Sequence, residues 1–184
     1  MIDKESEIAE ILARKINLPE INEIVEWALG DGRNIDALFR FAKSEDRRTG
    51  LNALWSLTHL QKNVGGMLQG YQDELVDMLL EESYTGRKRM LLQLLREQTY
   101  DMDTLRTDFL DYCLCKINSV CEPYAIRCFS IYCAFKMCKF YPELIAELEA
   151  HLDMLPVQSL SPGLKSALKS TRRRIDGVRK RHGQ

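Results

Sequence analysis

Apolar residues recur at intervals of three or four along almost the whole chain, and this period constrains the fold most strongly. Such spacing places them on one face of an α-helix, which has 3.6 residues per turn. Leucine occurs 26 times and valine only six times. No run of apolar residues alternates with polar ones as in a half-buried β-strand. The pattern therefore predicts an all-α protein of about ten helices joined by short turns.

Helix-breaking and helix-capping residues divide the pattern into segments. Pro19 is expected to end the first helical segment, and the stretch 30–32 to end the second because glycine tolerates positive φ. Gly66, in a Gly-Gly pair, is expected to follow the fourth helix. Asp103 is the predicted N-cap of the seventh helix, and Ser161 that of the tenth.

The eighth predicted helix, over residues 124–140, is apolar on almost every side and includes Tyr124 among its apolar residues. A helix of this kind is buried between neighbouring helices rather than lying at the surface. We therefore expect it to lie in the middle of a helical stack.

Similar residues begin every second helix at a nearly constant interval. If Arg48, Arg87, Tyr124 and Gly163 are equivalent positions, the intervals are 39, 37 and 39 residues. Solenoids made of helix pairs repeat at about 40 residues. The chain is therefore predicted to repeat a two-helix unit.

In the segments 35–61, 71–96, 105–140 and 144–174 the chain resembles the HEAT-like family of armadillo-type α-solenoids. The resemblance implies a right-handed α-α superhelix of antiparallel helix pairs, with a concave face that holds a protein or a nucleic acid. An irregular helical bundle is the alternative fold. We expect one domain over 1–184, with a short irregular helix pair at 1–30 and a basic capping helix at 162–181.

The net charge of −1 conceals an asymmetry between the C-terminal segment and the rest of the chain. From Lys165 onward, eight basic residues accompany one acidic residue, Asp176, so this segment carries +7 and the first 164 residues carry −8. The tenth helix should have an apolar stripe, formed by Leu164, Leu168, Thr171, Ile175 and Val178. A separate basic stripe should contain Lys165, Lys169, Arg172, Arg173 and Lys180.

This basic stripe has two interpretations: it contacts a phosphate backbone, or it is the solvated outer face of a terminal cap. A second basic cluster, Arg87, Lys88 and Arg89, begins the sixth helix, where positive charge opposes the helix dipole. Both clusters are candidate binding residues.

All six cysteines lie between Cys113 and Cys138. Cys128, Cys133 and Cys138 are five residues apart, so each is rotated by about 140° from the last and no common helix face results. The paired C-x-x-C spacing of zinc sites is also absent. We expect reduced thiols that fill helix contacts, and no bound metal.

The sequence predicts no catalytic residue and no cofactor. His59, His151 and His182 are isolated, and no hydrolase, kinase or nucleotide-binding motif is present. Some HEAT-like proteins are DNA glycosylases for alkylated bases, which hold damaged DNA with aromatic residues and a carboxylate. The corresponding groove here would contain Trp27, Trp55, Tyr84 and the basic cluster at 87–89, but no motif of those enzymes matches.

The expected function is that of a non-catalytic scaffold that binds another protein through its concave face. The alternative is a nucleic-acid-binding protein, with or without glycosylase activity. Self-association is also open, since an incompletely capped solenoid end can stack on a copy of itself. Without a run of eighteen apolar residues or a secretion signal, we expect a cytoplasmic protein that does not enter membranes.

Overall fold

Every regular element in the computed structural model, which describes residues 4–182, is helical. These residues form ten α-helices and two short 3-10 helices, so the all-α prediction is confirmed. The chain comprises two compact units, Met1–Gln98 and Thr99–Gln184. The single domain expected over 1–184 stays a prediction, and each unit is described by itself.

The described part of the first unit contains six α-helices and one 3-10 helix. These are α1 (Lys4–Leu12), α2 (Leu18–Gly30), α3 (Gly32–Ala42), α4 (Arg47–Asn63), the 3-10 helix Gln69–Tyr71, α5 (Gln72–Glu81) and α6 (Thr85–Glu97). Helix α3 packs on α4 and α5 packs on α6, while α4 also packs on α6. The second helices of two successive pairs thus contact each other, as in a repeat of helix pairs.

The core of the first unit is built from the apolar stripes that the period predicts. On α3, for example, Ile35, Leu38, Phe39 and Ala42 are all buried. The ring of Phe39 stacks on that of Tyr71, with a centroid distance of 4.3 Å. Burial of such side chains is the main contribution that holds the helices together.

Helix α1 ends earlier than the position of Pro19 suggests. It ends at Leu12, and α2 begins at Leu18 with a capping box in which Asn17 is the N-cap. The buried Asn52 side chain of α4 donates to the carbonyls of Leu12 (2.8 Å) and Arg14 (2.9 Å). A polar side chain of one helix thus satisfies carbonyl groups at the end of another.

The break between α2 and α3 lies within the stretch 30–32, as predicted, but the residue that makes it is an aspartate without a positive φ. Asp31 is extended (φ −155°), and its carboxylate accepts a hydrogen bond from the Arg33 backbone N–H at 2.9 Å. Neither Gly30 nor Gly32 has a positive φ. Gly66, which follows α4, does have one (86°), so that prediction is confirmed.

The described part of the second unit contains four α-helices and one 3-10 helix. These are α7 (Thr107–Ile117), α8 (Tyr124–Cys138), α9 (Pro142–Asp153), the 3-10 helix Val157–Ser159 and α10 (Pro162–His182). Helix α8 packs against α7, α9 and α10, which confirms its central place. Tyr124, at its first turn, is the exception, because its side chain is exposed rather than buried.

The predicted start of α7 is wrong. The helix begins at Thr107, and Asp103 lies outside it. The carboxylate that serves the first turn is that of Asp108, which accepts the Phe109 backbone N–H at 2.8 Å and pairs with Arg106 at 2.7 Å. Negative charge is favourable in this first turn because of the helix dipole.

Candidate interaction surfaces

The Arg87 side chain, at the start of α6, lies in the interior of the first unit and makes an ion pair and hydrogen bonds there. Only 14% of it is exposed, and its Nε pairs with Oε2 of Glu82 at 2.7 Å. Its two terminal nitrogens donate to the carbonyls of Ala42 (2.6 Å) and Ser44 (3.3 Å). A cation beside the carbonyl end of α3 is favoured by the dipole of that helix. This contact explains why a basic residue begins α6.

The surroundings of Arg87 are closely packed. A Cβ atom added to Gly50 of α4 would lie 3.1 Å from the Arg87 guanidinium carbon and 3.2 Å from the Ala42 carbonyl oxygen. The Arg47 guanidinium lies 3.5 Å from the centre of the Tyr84 ring, in a cation–π contact. Arg87 and Tyr84 are therefore occupied by contacts within the unit.

The structure separates the three residues of the first basic cluster. Arg87 lies in the interior and Arg89 is exposed. Lys88, between them, is half-buried and interacts with another residue. The binding role predicted for this cluster stays a prediction, but only 14% of the Arg87 side chain is exposed for contact with a partner.

Helix α10 carries both stripes that its sequence predicts. The side chains of Leu164, Leu168, Thr171, Ile175 and Val178 are buried. The basic residues Lys165, Lys169, Arg172, Arg173, Arg174, Arg179, Lys180 and Arg181 are exposed. The Ser161 hydroxyl accepts the Leu164 backbone N–H at 3.3 Å, so the predicted N-cap is confirmed.

Acidic residues of α9 neutralise part of this basic surface. Arg172 donates to Asp153 at 2.7 Å, and Arg179 pairs with Glu149. These pairs are exposed and contribute little to stability. Within residues 4–182, Lys165, Lys169, Arg173, Arg174 and Lys180 make no ion pair or side-chain hydrogen bond.

A cavity of about 450 Å³ lies along this helix and is here called the basic groove. The α10 residues that line it are Lys165, Leu168, Lys169, Arg172, Arg173 and Asp176. Val157 lines the groove from the connection between α9 and α10, and its side chain is exposed. The groove therefore combines four cations with one carboxylate and an apolar edge.

A second cavity of the same unit has a volume of about 650 Å³ and is here called the apolar cleft. Val120, Tyr124 and Met154 line it, and all three are large apolar side chains exposed to solvent. The sequence pattern does not predict this cleft. Its only signal was the position of these residues in turns and at a helix end, outside the apolar stripes.

The six cysteines differ in their exposure to solvent. Cys113, Cys133 and Cys138 are buried, Cys128 is half-buried, and Cys115 and Cys121 are exposed. Burial raises the pKa of Cys113 and raises that of Cys138 to about 12, which disfavours the thiolate at neutral pH. Among residues 4–182, no group of three or more histidine, cysteine or acidic side chains is placed to hold a metal ion.

Two of the histidines occupy separate environments. His59 lies edge-on to Trp55 of the same helix, and burial lowers its pKa. Asn118 donates to the His151 carbonyl at 3.0 Å. The side chain of His182 lies outside the described part of the structure.

The residues of the suggested glycosylase groove have different surroundings. Trp27 lines a depression beside Arg33 and Arg40, whereas Trp55 contacts His59. Tyr84 and Arg87 make the internal contacts described above.

No helix within residues 4–182 has both the length and the apolar character needed to cross a membrane.

Comparison with known families identifies the class of this protein. The model of the HEAT repeat domain matches residues 8–175. Because this match covers most of the chain, the protein belongs to the HEAT repeat family, and the predicted resemblance is confirmed. No curated protein and no solved structure matches it.

Proposed function

We propose that this protein is a non-catalytic helical-repeat scaffold that binds another protein. The observation that carries the proposal is the exposed face of α10, where Lys165, Lys169 and Arg173, which have no ion pair within residues 4–182, line a groove together with the exposed Val157. Such a mixture is typical of protein interfaces, in which apolar contacts supply affinity and charges supply specificity. HEAT repeats in general present extended binding surfaces.

Nucleic acid is the second candidate partner, because α10 carries eight basic residues and one acidic residue. A carboxylate in the groove, Asp176, and the pairing of Arg172 with Asp153 argue against it. Both place negative charge where a phosphate backbone would lie. The alternative of a DNA glycosylase has less support, because Tyr84 and Arg87 are occupied by contacts within the unit.

The concave face, the cytoplasmic location and self-association all stay predictions. The proposal itself requires only that α10 faces a protein in the cell.

A photo-crosslinking amino acid placed at Lys169, in the basic groove, tests the proposal in living cells. The matched control places it at Glu45, an exposed residue of the first unit. We expect an adduct at Lys169 that protease degrades and nuclease leaves intact, and none at Glu45. Equal adducts at both positions, no adduct at Lys169, or an adduct that nuclease degrades would overturn the proposal.

Binding of the purified protein to a labelled DNA duplex and to a single strand, at low and moderate salt, tests the alternative. We expect weak binding. Tight binding that falls linearly with the logarithm of salt concentration, and is lost when Arg172, Arg173 and Arg174 are changed to Ala, would instead establish a nucleic-acid-binding protein.

A further inference from the structure

One short segment of chain borders both the basic groove and the apolar cleft. Pro156 and Ser159 line the apolar cleft, and Val157, which lies between them in the chain, lines the basic groove. The connection between α9 and α10 therefore contributes to both cavities.

The apolar cleft exposes three apolar side chains, beside polar lining residues such as Asn118 and Arg127. Val120 is 86% exposed, Met154 is 62% exposed and Tyr124 is 56% exposed. The carboxylate of Glu122 in this cleft is paired with Lys116 at 3.0 Å. Covering apolar surface of this kind is favourable roughly in proportion to its area, and methionine adapts to different shapes.

The spacing of the cations in the basic groove suits an extended peptide. Lys165, Lys169 and Arg173 are four residues apart, which is a rise of about 6 Å from each to the next along the helix. Alternate side chains of an extended peptide are separated by about 6.6 Å and lie on the same side. Carboxylates at alternate positions of such a peptide can therefore meet the three cations one by one.

The acidic residues beside the groove select against a continuous polyanion. Asp176 lines the groove, and Asp153 is paired with Arg172 next to it. A DNA duplex carries one negative charge per about 1.7 Å of its axis and would place phosphates against both carboxylates. A peptide with a few separated carboxylates avoids this repulsion.

We propose that this surface binds an extended acidic segment of a partner protein. Glutamate or aspartate residues at alternate positions contact Lys165, Lys169 and Arg173, and one large apolar residue occupies the cleft lined by Met154 and Tyr124. The inference rests on the proposed function, because it specifies the chemistry of the protein partner.

The test uses the full chain and a fluorescent peptide of about ten residues, which spans roughly 33 Å when extended. The peptide carries one tryptophan followed by glutamates at alternate positions, and fluorescence anisotropy measures its affinity. We expect saturable binding. Replacing the glutamates by glutamine, or the tryptophan by glycine, should each weaken binding by at least about tenfold, the effect of one good contact.

Two double variants locate the site on the protein. Lys169→Glu with Arg173→Glu should weaken binding at least about tenfold, and Val120→Ser with Met154→Ser should do the same. The matched control, Lys15→Glu with Arg48→Glu, makes the same charge change at exposed residues of the first unit and should leave the affinity unchanged. All the substituted side chains are exposed, so circular dichroism should show intact helices.

Several results would overturn the inference. They are no binding of the peptide, equal binding of the glutamine peptide, loss of affinity in the control variant, and a dimer of the protein that the Val120→Ser/Met154→Ser variant abolishes. If the peptide fails to bind but Lys169 still crosslinks to a protein, the inference fails and the proposed function stands. If Lys169 crosslinks to nothing, both fail.

Discussion

Arg87 and Arg173 belong to the two basic clusters of this protein and have opposite environments. Arg87, at the start of α6, donates to two carbonyls and pairs with a carboxylate, and 14% of its side chain is exposed. Arg173, on α10, is exposed and has no internal ion pair within the described residues. The carbonyl end of α3 thus holds Arg87 inside the first unit, whereas no such contact holds Arg173 within the described residues.

The contrast predicts different effects of removing Arg87 and Arg173. Removing a buried cation leaves a carboxylate and carbonyl groups without a partner, which costs stability. Removing an exposed cation is expected to cost little stability.

The largest effect is expected from Arg87→Ala, which leaves the Glu82 carboxylate and the Ala42 carbonyl without their partner. We expect a loss of about 3 kcal/mol in the free energy of unfolding, measured by urea denaturation. Arg89→Ala, two residues away on the exposed side, should change it by less than about 0.5 kcal/mol. Equal unfolding free energies of the Arg87→Ala and Arg89→Ala variants would contradict the interior role of Arg87.

Two glycine substitutions should have opposite signs. In Gly50→Ala the new methyl group lies 3.1 Å from the Arg87 guanidinium and 3.2 Å from a backbone oxygen, so we expect a loss of about 1 kcal/mol. In Gly177→Ala nothing lies within 4 Å of the new methyl group. Because alanine has a better helix propensity than glycine, we expect the free energy of unfolding to rise by about 0.5–1 kcal/mol. Thermal unfolding measures both, and stabilisation by Gly50→Ala would mean that Arg87 is loosely held.

Replacement of three arginines on α10 should have a small effect on folding. Changing Arg172, Arg173 and Arg174 to Ala removes one exposed ion pair, with Asp153, and should alter the unfolding free energy by less than about 1 kcal/mol. Urea denaturation beside the Arg87→Ala variant checks this. A loss as large as that of Arg87→Ala would show that α10 needs these side chains to fold.

The smallest effect is expected in how the stability of the protein depends on acidic pH. The Asp46 carboxylate, at the N-cap of α4, accepts hydrogen bonds from the Thr49 backbone N–H and hydroxyl, both at 2.7 Å. The backbone hydrogen bond is the main cause that lowers its pKa below the ordinary value of 3.8. A lowered folded-state pKa adds stability above the unfolded-state pKa, and this stability is lost as the pH falls through the folded-state value.

Asp46→Asn tests this dependence, because asparagine is an equally good N-cap but does not titrate. We expect similar urea midpoints for both proteins at neutral pH, and a smaller decline for the variant below about pH 4. Parallel curves throughout the acid range would contradict a role for the Asp46 charge. Glu45→Gln, at the exposed neighbouring residue, is the control.

Much of the helical framework could be predicted from the sequence. The stripes of α3 and α10 are buried as predicted, and Ser161 and Gly66 act as predicted, because these features depend on residues within one or two turns. The errors occur where a residue other than the expected one accepts a backbone hydrogen bond in the first turn of the helix. Asp108 rather than Asp103 serves the start of α7, and the break at 30–32 is made by the extended Asp31 and not by a residue with positive φ.

The all-helical class, the repeated helix pairs and the two faces of α10 follow from the sequence alone. The 3.6-residue period encodes which side chains share a face, and this information is local. Tertiary packing places Arg87 in the interior and brings Val120, Tyr124 and Met154 together in an exposed cleft. The carbonyls that hold Arg87 lie 43 and 45 residues earlier in the chain. Only the packing of helices brings such distant groups within hydrogen-bond distance, and no periodic pattern records it.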